Sequence, residues 1–134
     1  MKVEILRVDD VLPIRHEVLW PDKPLSFSKV VDDHEGEHFG IRHNGKIICV
    51  VSMFSKGNEV RLRKFATVED FHGKGFGTYM LKYLIDRYKR EGKTIFWFDA
   101  RESALAFYEK FGFSIEGERL YKSDVPYFKM VKTL

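Results

Sequence analysis

Glycines at positions 73, 75 and 77 stand between an extended run and a strongly periodic one, and this juncture constrains the chain more than any other. Residues 61–67 read as a strand, 72–77 as a tight turn, and 76–90 as a helix with Met80, Leu81, Leu84, Ile85 and Tyr88 on one face. Glycine lets backbone approach an anion closely, because no Cβ stands in the way. The free N–H groups at the start of the following helix, with the positive end of its dipole, are suited to a pyrophosphate. A phosphate-bearing ligand is therefore the first expectation.

Two well-known phosphate loops do not fit. A nucleotide P-loop needs G-x-x-x-x-G-K-[ST]. Here Gly73 and Thr78 sit at the wrong offsets, and no Lys precedes the Thr. A dinucleotide fingerprint needs G-x-G-x-x-G/A. Counted from Gly73 its third small position falls on Thr78, and counted from Gly75 on Met80. Strand 94–98 does end on Asp99, where a ribose-binding acid would sit, but the glycine spacing rejects this reading.

A third loop matches. The segment His72-Gly-Lys-Gly-Phe-Gly77 resembles the Q/R-x-x-G-x-G/A pyrophosphate loop of the GNAT (GCN5-related N-acetyltransferase) superfamily, with His72 where Gln or Arg is usual. A second segment, Ala100-Arg-Glu-Ser-Ala-Leu-Ala-Phe-Tyr-Glu-Lys-Phe-Gly-Phe113, resembles the superfamily's N-x-x-A-x-x-x-Y-x-K-x-G-F. Ala104, Tyr108, Lys110, Gly112 and Phe113 match in register, and Arg101 replaces the usual Asn. The chain is similar to small bacterial members that carry Ala-Arg there. The likeness runs from about residue 38 to the C-terminus.

The resemblance implies an α/β (α+β) GNAT fold, a mixed central sheet of about seven strands flanked by about four helices, as one domain over 1–134. It implies acetyl-CoA as acyl donor and a small-molecule or peptide amine as acceptor. Phe65, Ala66 and Thr67 at a strand end, His72, Gly73, Lys74, Gly75, Phe76, Gly77 and Thr78 in the turn, and Arg101 and Ala104 in the second segment would bind that donor. A bulge near residues 65–67 would aim an N–H at the thioester carbonyl. Tyr108 occupies the position of a catalytic Tyr whose hydroxyl protonates the CoA thiolate. The resemblance also favours a homodimer.

The remaining chain reads as follows. Residues 3–8 alternate as a strand, and Asp9 or Asp10 would cap a helix running to about Trp20, with Pro13 near its first turn. Residues 21–36 form a loop with one helical turn near 29–31. A hairpin joins 38–43 to 46–54 through Asn44-Gly45. Then follow strand 59–67, the helix, strand 94–98, helix 102–111, strand 113–118 and strand 126–133. Antiparallel hairpins followed by a βαβ unit require a mixed sheet.

Composition sets bounds. There are 23 basic and 20 acidic residues, a net charge of +3, too weak and too scattered to indicate nucleic acid. One cysteine excludes an internal disulfide, and Cys49 lies in an apolar run that suggests an inert core thiol. No secretory segment and no bilayer-length apolar run is present, so a soluble, cytoplasmic protein with no membrane partner is expected.

Substrate choice should rest with the first helix and loop 21–36, with Arg15 pairing a carboxylate of the acceptor and Trp20 and Tyr127 lining the cleft. No general base is readable: Glu59, Glu69 and Asp70 are the acids near the fourth strand. His34-Glu-Gly-Glu-His38 matches H-E-x-x-H literally, but a zinc site needs both His on one helix, and Gly36 interrupts it. No metal is expected. Two other readings stay open: a non-catalytic acyl-CoA-binding module of the same fold, and a zinc hydrolase on residues 34–38.

Overall fold

The computed structural model describes residues 1–134. Its eight strands form one sheet: β1 (Val3–Leu6), β2 (Glu37–His43), β3 (Lys46–Lys56), β4 (Glu59–Thr67), β5 (Ile95–Arg101), β6 (Ser114–Ile115), β7 (Leu120–Lys122) and β8 (Val125–Thr133). The spatial order is β1-β2-β3-β4-β5-β8-β6, and β7 pairs with β8. Only β4–β5 is parallel; every other neighbour pair is antiparallel. Helix α1 (Val8–Leu19) lies on one face, packing Val11, Ile14 and Val18 against Leu6, Val50 and Ala66. Helices α2 (Phe76–Arg90) and α3 (Leu105–Glu109) cover the other. Met80, Leu81, Leu84 and Tyr88 of α2 are wholly buried there against Phe39, Met53, Val60, Phe96 and Phe98.

Local chemistry explains most boundaries. Helix α1 starts one residue before the acids expected to cap it. Arg7 is the N-cap, and Asp10 reaches back from the first turn to accept the Arg7 N–H at 3.1 Å. The Asn44-Gly45 turn has positive φ at both residues (51° and 82°), the geometry that joins two twisted strands through two residues. At the end of α2, Gly92 takes a φ of 87° just past the last turn.

The C-terminal third departs from the reading. Helix 102–111 is a 3-10 turn (Glu102–Ala104) followed by five α-helical residues, and strand 113–118 shrinks to Ser114–Ile115. β7 falls where a turn was expected. The Ser123-Asp124 turn between β7 and β8 has φ of 48° and 64° without a glycine. Its sequence therefore lacks the usual hairpin signature. The loop of 21–36 holds two 3-10 turns, Leu25–Ser28 and Asp33–Glu35, and none at 29–31.

Arg15 is corrected outright. Its side chain is wholly buried, and its guanidinium donates to both carboxylate oxygens of Asp33 (2.9 and 2.8 Å), to Ser52 Oγ (2.8 Å) and to the Ser28 carbonyl (3.1 Å). Arg15 does pair a carboxylate, but it is the chain's own. Burial alone would raise the Asp33 carboxyl. The bonds from Arg15 and the Val30 N–H, with the Arg15 charge, outweigh that and hold it below the usual carboxylate range. The Ser52 hydroxyl meets His38 Nδ1 at 2.6 Å, and His38 Nε2–H donates to the Asp33 carbonyl at 2.9 Å. This network fastens loop 21–36 to β2, β3 and α1.

His38 thus has both ring nitrogens engaged and lies in a strand, whereas His34 is exposed in a 3-10 turn. No three His, Cys, Asp or Glu side chains are grouped to hold a metal ion. The H-E-x-x-H match does not form the one-helix arrangement that zinc ligation requires.

Two stability measurements follow. Asp33→Ala strands a buried guanidinium and should cost about 3–5 kcal/mol in urea unfolding. Glu4→Ala, which breaks the exposed pair with Arg42 (2.8 Å), should cost less than about 1 kcal/mol. Three buried acids also set an alkaline limit. Burial pushes the Cys49 thiol up to about 11 from 9.0. Burial and then Glu37 raise the Tyr88 phenol, and burial raises that of Tyr108, each from 10.0. Each group holds its proton in the fold above the pH at which the unfolded chain releases it. Stability is therefore full below about pH 9 and should fall above it, by up to about 1.4 kcal/mol per pH unit for each group. Urea midpoints measured between pH 8 and 11 check this, and Tyr88→Phe should flatten the decline.

Candidate active site

Strands β4 and β5 pair only at Glu59–Ile95, Val60–Phe96 and Arg61–Trp97. Beyond that they part, and the facing edges of residues 62–67 and 98–101 form no ladder with one another. Apart from the Thr67 carbonyl, which His72 engages, the main-chain groups on these edges can bond an extended amide-bearing ligand. A bulge accompanies the parting. Against β3, Val50 opposes Ala66 while Ser52 opposes Arg63, so β4 carries one extra residue at 64–65. Lys64 there adopts φ 54°, rare for a residue with a Cβ. The bulge reverses the facing of the strand. Arg63 points to the α1 side, and Phe65 packs with the α2 and α3 cluster.

On that side the opened strands meet the glycine turn in a groove of about 690 Å³. It is lined by Phe65, Ala66 and Thr67 of β4, by His72, Gly73, Gly75, Phe76, Gly77 and Thr78 of the turn and α2, and by Ala104, Phe107 and Lys110. Gly73 (φ 72°) and Gly75 (φ 89°) need the left-handed region, and no atom lies within 4 Å of a Cβ built on Gly73. Gly77 acts differently. A Cβ there would touch Phe65 and Phe107 (3.6 and 3.7 Å), so its hydrogen keeps the groove wide. The first helical bond is Tyr79 N–H to the Gly75 carbonyl, and the N-terminus of α2 has neither a side-chain cap nor an acid in its first turn. Three N–H groups and the helix dipole are thus left for an anion, which fits a pyrophosphate.

His72 does not reach toward such an anion through Nε2. That nitrogen donates to the Thr67 carbonyl at 2.6 Å and ties the turn to the end of β4. Lys74 is absent from the groove wall; its ammonium sits 5.5 Å above the Phe71 ring. The groove cation is Lys110.

A second cavity, about 350 Å³, opens between the parted strands under the end of α1 and loop 21–36. Trp20, Phe27, Phe65, Tyr108 and Tyr127 supply its aromatic wall. Its charged wall is Arg61, Arg63, Lys64, Asp99, Arg101 and Lys122. Groove and cavity share two residues, Phe65 and Ala104. Tyr108 stands beside this junction with its ring against Phe98 (4.4 Å between centroids). Burial raises its phenol, and the nearby Cys49 thiol adds to the shift, so the hydroxyl keeps its proton at neutral pH.

The structure therefore brings together Phe65, Ala66, Thr67, the turn from His72 to Thr78 apart from Lys74, and Ala104. It gathers Tyr108, Trp20 and Tyr127 around the adjoining cavity. Arg101 goes to that cavity rather than to the groove. It bonds the Tyr127 hydroxyl and the Leu19 carbonyl (both 3.3 Å) and lies 5.4 Å above the Trp20 ring. Asp99 was missed as a cavity residue. Its carboxylate accepts from Arg61 (3.2 Å) and Lys122 (3.0 Å). Its position at a strand end beside the parting was the available signal. Glu59 lies at the far, paired end of β4, and neither Glu69 nor Asp70 lines the cavity.

The model of the acetyltransferase (GNAT) family matches residues 5–113. The chain is 28% identical to the uncharacterized N-acetyltransferase YitI of Bacillus subtilis, covering all of this chain and 97% of that one. In structure it resembles the ribosomal-protein-S18-alanine N-acetyltransferase of Escherichia coli (TM-score 0.81, 22% identity, 98% and 92% of the two chains). It also resembles a GNAT acetyltransferase of Elizabethkingia anophelis with acetyl-CoA bound (TM-score 0.75, 18% identity, 99% and 97%). A sheet parted between its two central parallel strands, a glycine turn opening onto an uncapped helix and a family match over most of its length place this chain in the GNAT acetyltransferase family.

Proposed function

We propose that the protein transfers an acetyl group from acetyl-CoA to a primary amine by direct attack within a ternary complex. The observation that carries this reading is the junction of groove and cavity at Phe65 and Ala104, with the Tyr108 phenol beside it. Two reactants entering from opposite sides would meet there, which removes most of the entropic cost of a two-substrate reaction. No activated nucleophile lies at the junction, since Cys49 is wholly buried with its thiol held protonated. Solved relatives carry acetyl-CoA or coenzyme A, which supports the choice of donor.

Acetyl-CoA supplies the acetyl group as a thioester. The chain's residues divide the remaining work. The N–H groups of the α2 first turn hold the diphosphate, and the free edges of β4 and β5 bond the amides of the arm. The bulge at Lys64–Phe65 presents a main-chain N–H to the carbonyl oxygen as negative charge gathers on it. As the nitrogen bonds to the carbonyl carbon and the C–S bond breaks, Tyr108 gives its proton to the departing sulfur and recovers one from solvent. Burial raises thiol and phenol alike, so a thiolate formed at this junction is basic enough to take the proton. The surplus proton of the amine leaves through water. Asp99 is the one carboxylate in the cavity wall, and two cations already share it. Dependence on acetyl-CoA favours a cytoplasmic location, and family likeness favours a homodimer.

A non-catalytic acyl-CoA-binding module is the competing reading, supported by the engagement of His72 and Arg101 within the fold. Titration calorimetry should give acetyl-CoA binding with no response to NAD, and silence toward acetyl-CoA would end both readings. Tyr108→Phe keeps the ring and its packing. It should lower kcat by about 10²-fold with acetyl-CoA affinity unchanged. A wild-type protein that binds acetyl-CoA but turns over no amine would favour the module.

A further inference from the structure

The cavity opposite the donor groove is strongly cationic. Five of its side chains are Arg or Lys and one is a carboxylate. The cations are unequal. Arg61 and Lys122 share Asp99, and Arg63 reaches Asp32 at 3.4 Å. Lys64 and Arg101 have no carboxylate partner in the chain; Arg101 hydrogen-bonds only a carbonyl and a hydroxyl and lies over the Trp20 ring. Lys64 is half-buried and sits at the bulge, beside the parting of the strands. Burial lowers its ammonium, and the charges of Arg63, Arg15 and Lys122 lower it further, more than Asp33 restores. The region is therefore felt as positive by a group placed within it. Donor phosphates do not account for this charge, because the glycine turn and the α2 N-terminus line the other opening.

We propose that the acceptor is an anionic primary amine, its carboxylate or phosphate held between Lys64 and Arg101 against the aromatic wall of Trp20 and Tyr127. This rests on the acetyltransferase reading above and narrows it to a substrate class. Two consequences follow from the same charges. An anion compensates two cations that lack one, which favours anionic amines over neutral ones and strongly over polyamines. The cationic wall also disfavours an ammonium, so the amine loses its proton to water more readily once bound. That second effect stands in for the general base that the sequence does not supply.

The test pairs binding with selectivity. Acetyl-CoA affinity is measured by calorimetry. Turnover is then compared for glutamate, O-phosphoethanolamine, glycinamide and spermidine at equal concentration. kcat/KM for at least one of the two anionic amines should exceed that for glycinamide and spermidine by about tenfold or more. The carboxylate and phosphate arms tell the two anion sources apart. Lys64→Gln and Arg101→Gln should each raise KM for the anionic amine about tenfold, with acetyl-CoA affinity held within about twofold. Lys64→Arg should restore much of the loss. Preference for glycinamide or spermidine overturns the proposal. So does acetyl-CoA binding without turnover of either anionic amine, or indifference of KM in both Gln variants. Failure to bind acetyl-CoA would instead overturn the acetyltransferase reading itself.

Discussion

Strands β4 and β5 hold each other for three residue pairs and then let go, and the functional architecture is arranged around that release. Parallel strands normally continue their ladder, because an unpaired edge leaves main-chain donors and acceptors without partners. Here the bulge at Lys64 adds local twist to β4, and β8 draws β5 to its own side through seven antiparallel pairs. The two edges diverge and leave a wedge in the middle of an otherwise continuous sheet. A groove opens on one side of the wedge and a cavity on the other, and the two touch at Phe65 and Ala104.

The wedge needs rigid flanks, and the two faces supply them differently. The α2 side is a conventional apolar layer in which Met80, Leu81, Leu84 and Tyr88 are wholly buried. The α1 side is thinner and depends on a polar device: Arg15, Asp33, Ser52 and His38 form a connected set of bonds beneath loop 21–36. A buried ion pair adds little net stability, but its partners hold a definite arrangement. The result is that Trp20 and Phe27, packed edge to face at 5.3 Å, stay on the rim of the cavity between the parted strands.

Electrostatics separates the two openings. The groove along the glycine turn offers an anion mainly main-chain N–H groups and a helix dipole. The cavity opposite presents side-chain cations from β4, β5 and the β7–β8 hairpin. Side chains can change without disturbing the sheet, so this is where one fold can specialise.

Much of this was legible in the chain as written. Positive φ at Gly73 and Gly75, the Asn44-Gly45 hairpin and the buried stripe of α2 are local consequences of residue type and spacing. So is the register of Ala104 and Tyr108 against the family pattern. The destinations of the charged side chains were not legible. Arg15 sits on α1 at a spacing compatible with a cleft, yet Asp33, eighteen residues away, captures it. Arg101 turns toward Leu19 and Tyr127, elements that only the folded sheet brings beside it. Asp99, Lys64 and Lys122 become one wall only because β4 bulges, β5 parts from it and a glycine-free hairpin folds over both. Backbone conformation is set over a few residues and can be read from them. The partner of a long charged side chain is chosen among groups distant in sequence, and that choice belongs to the tertiary structure.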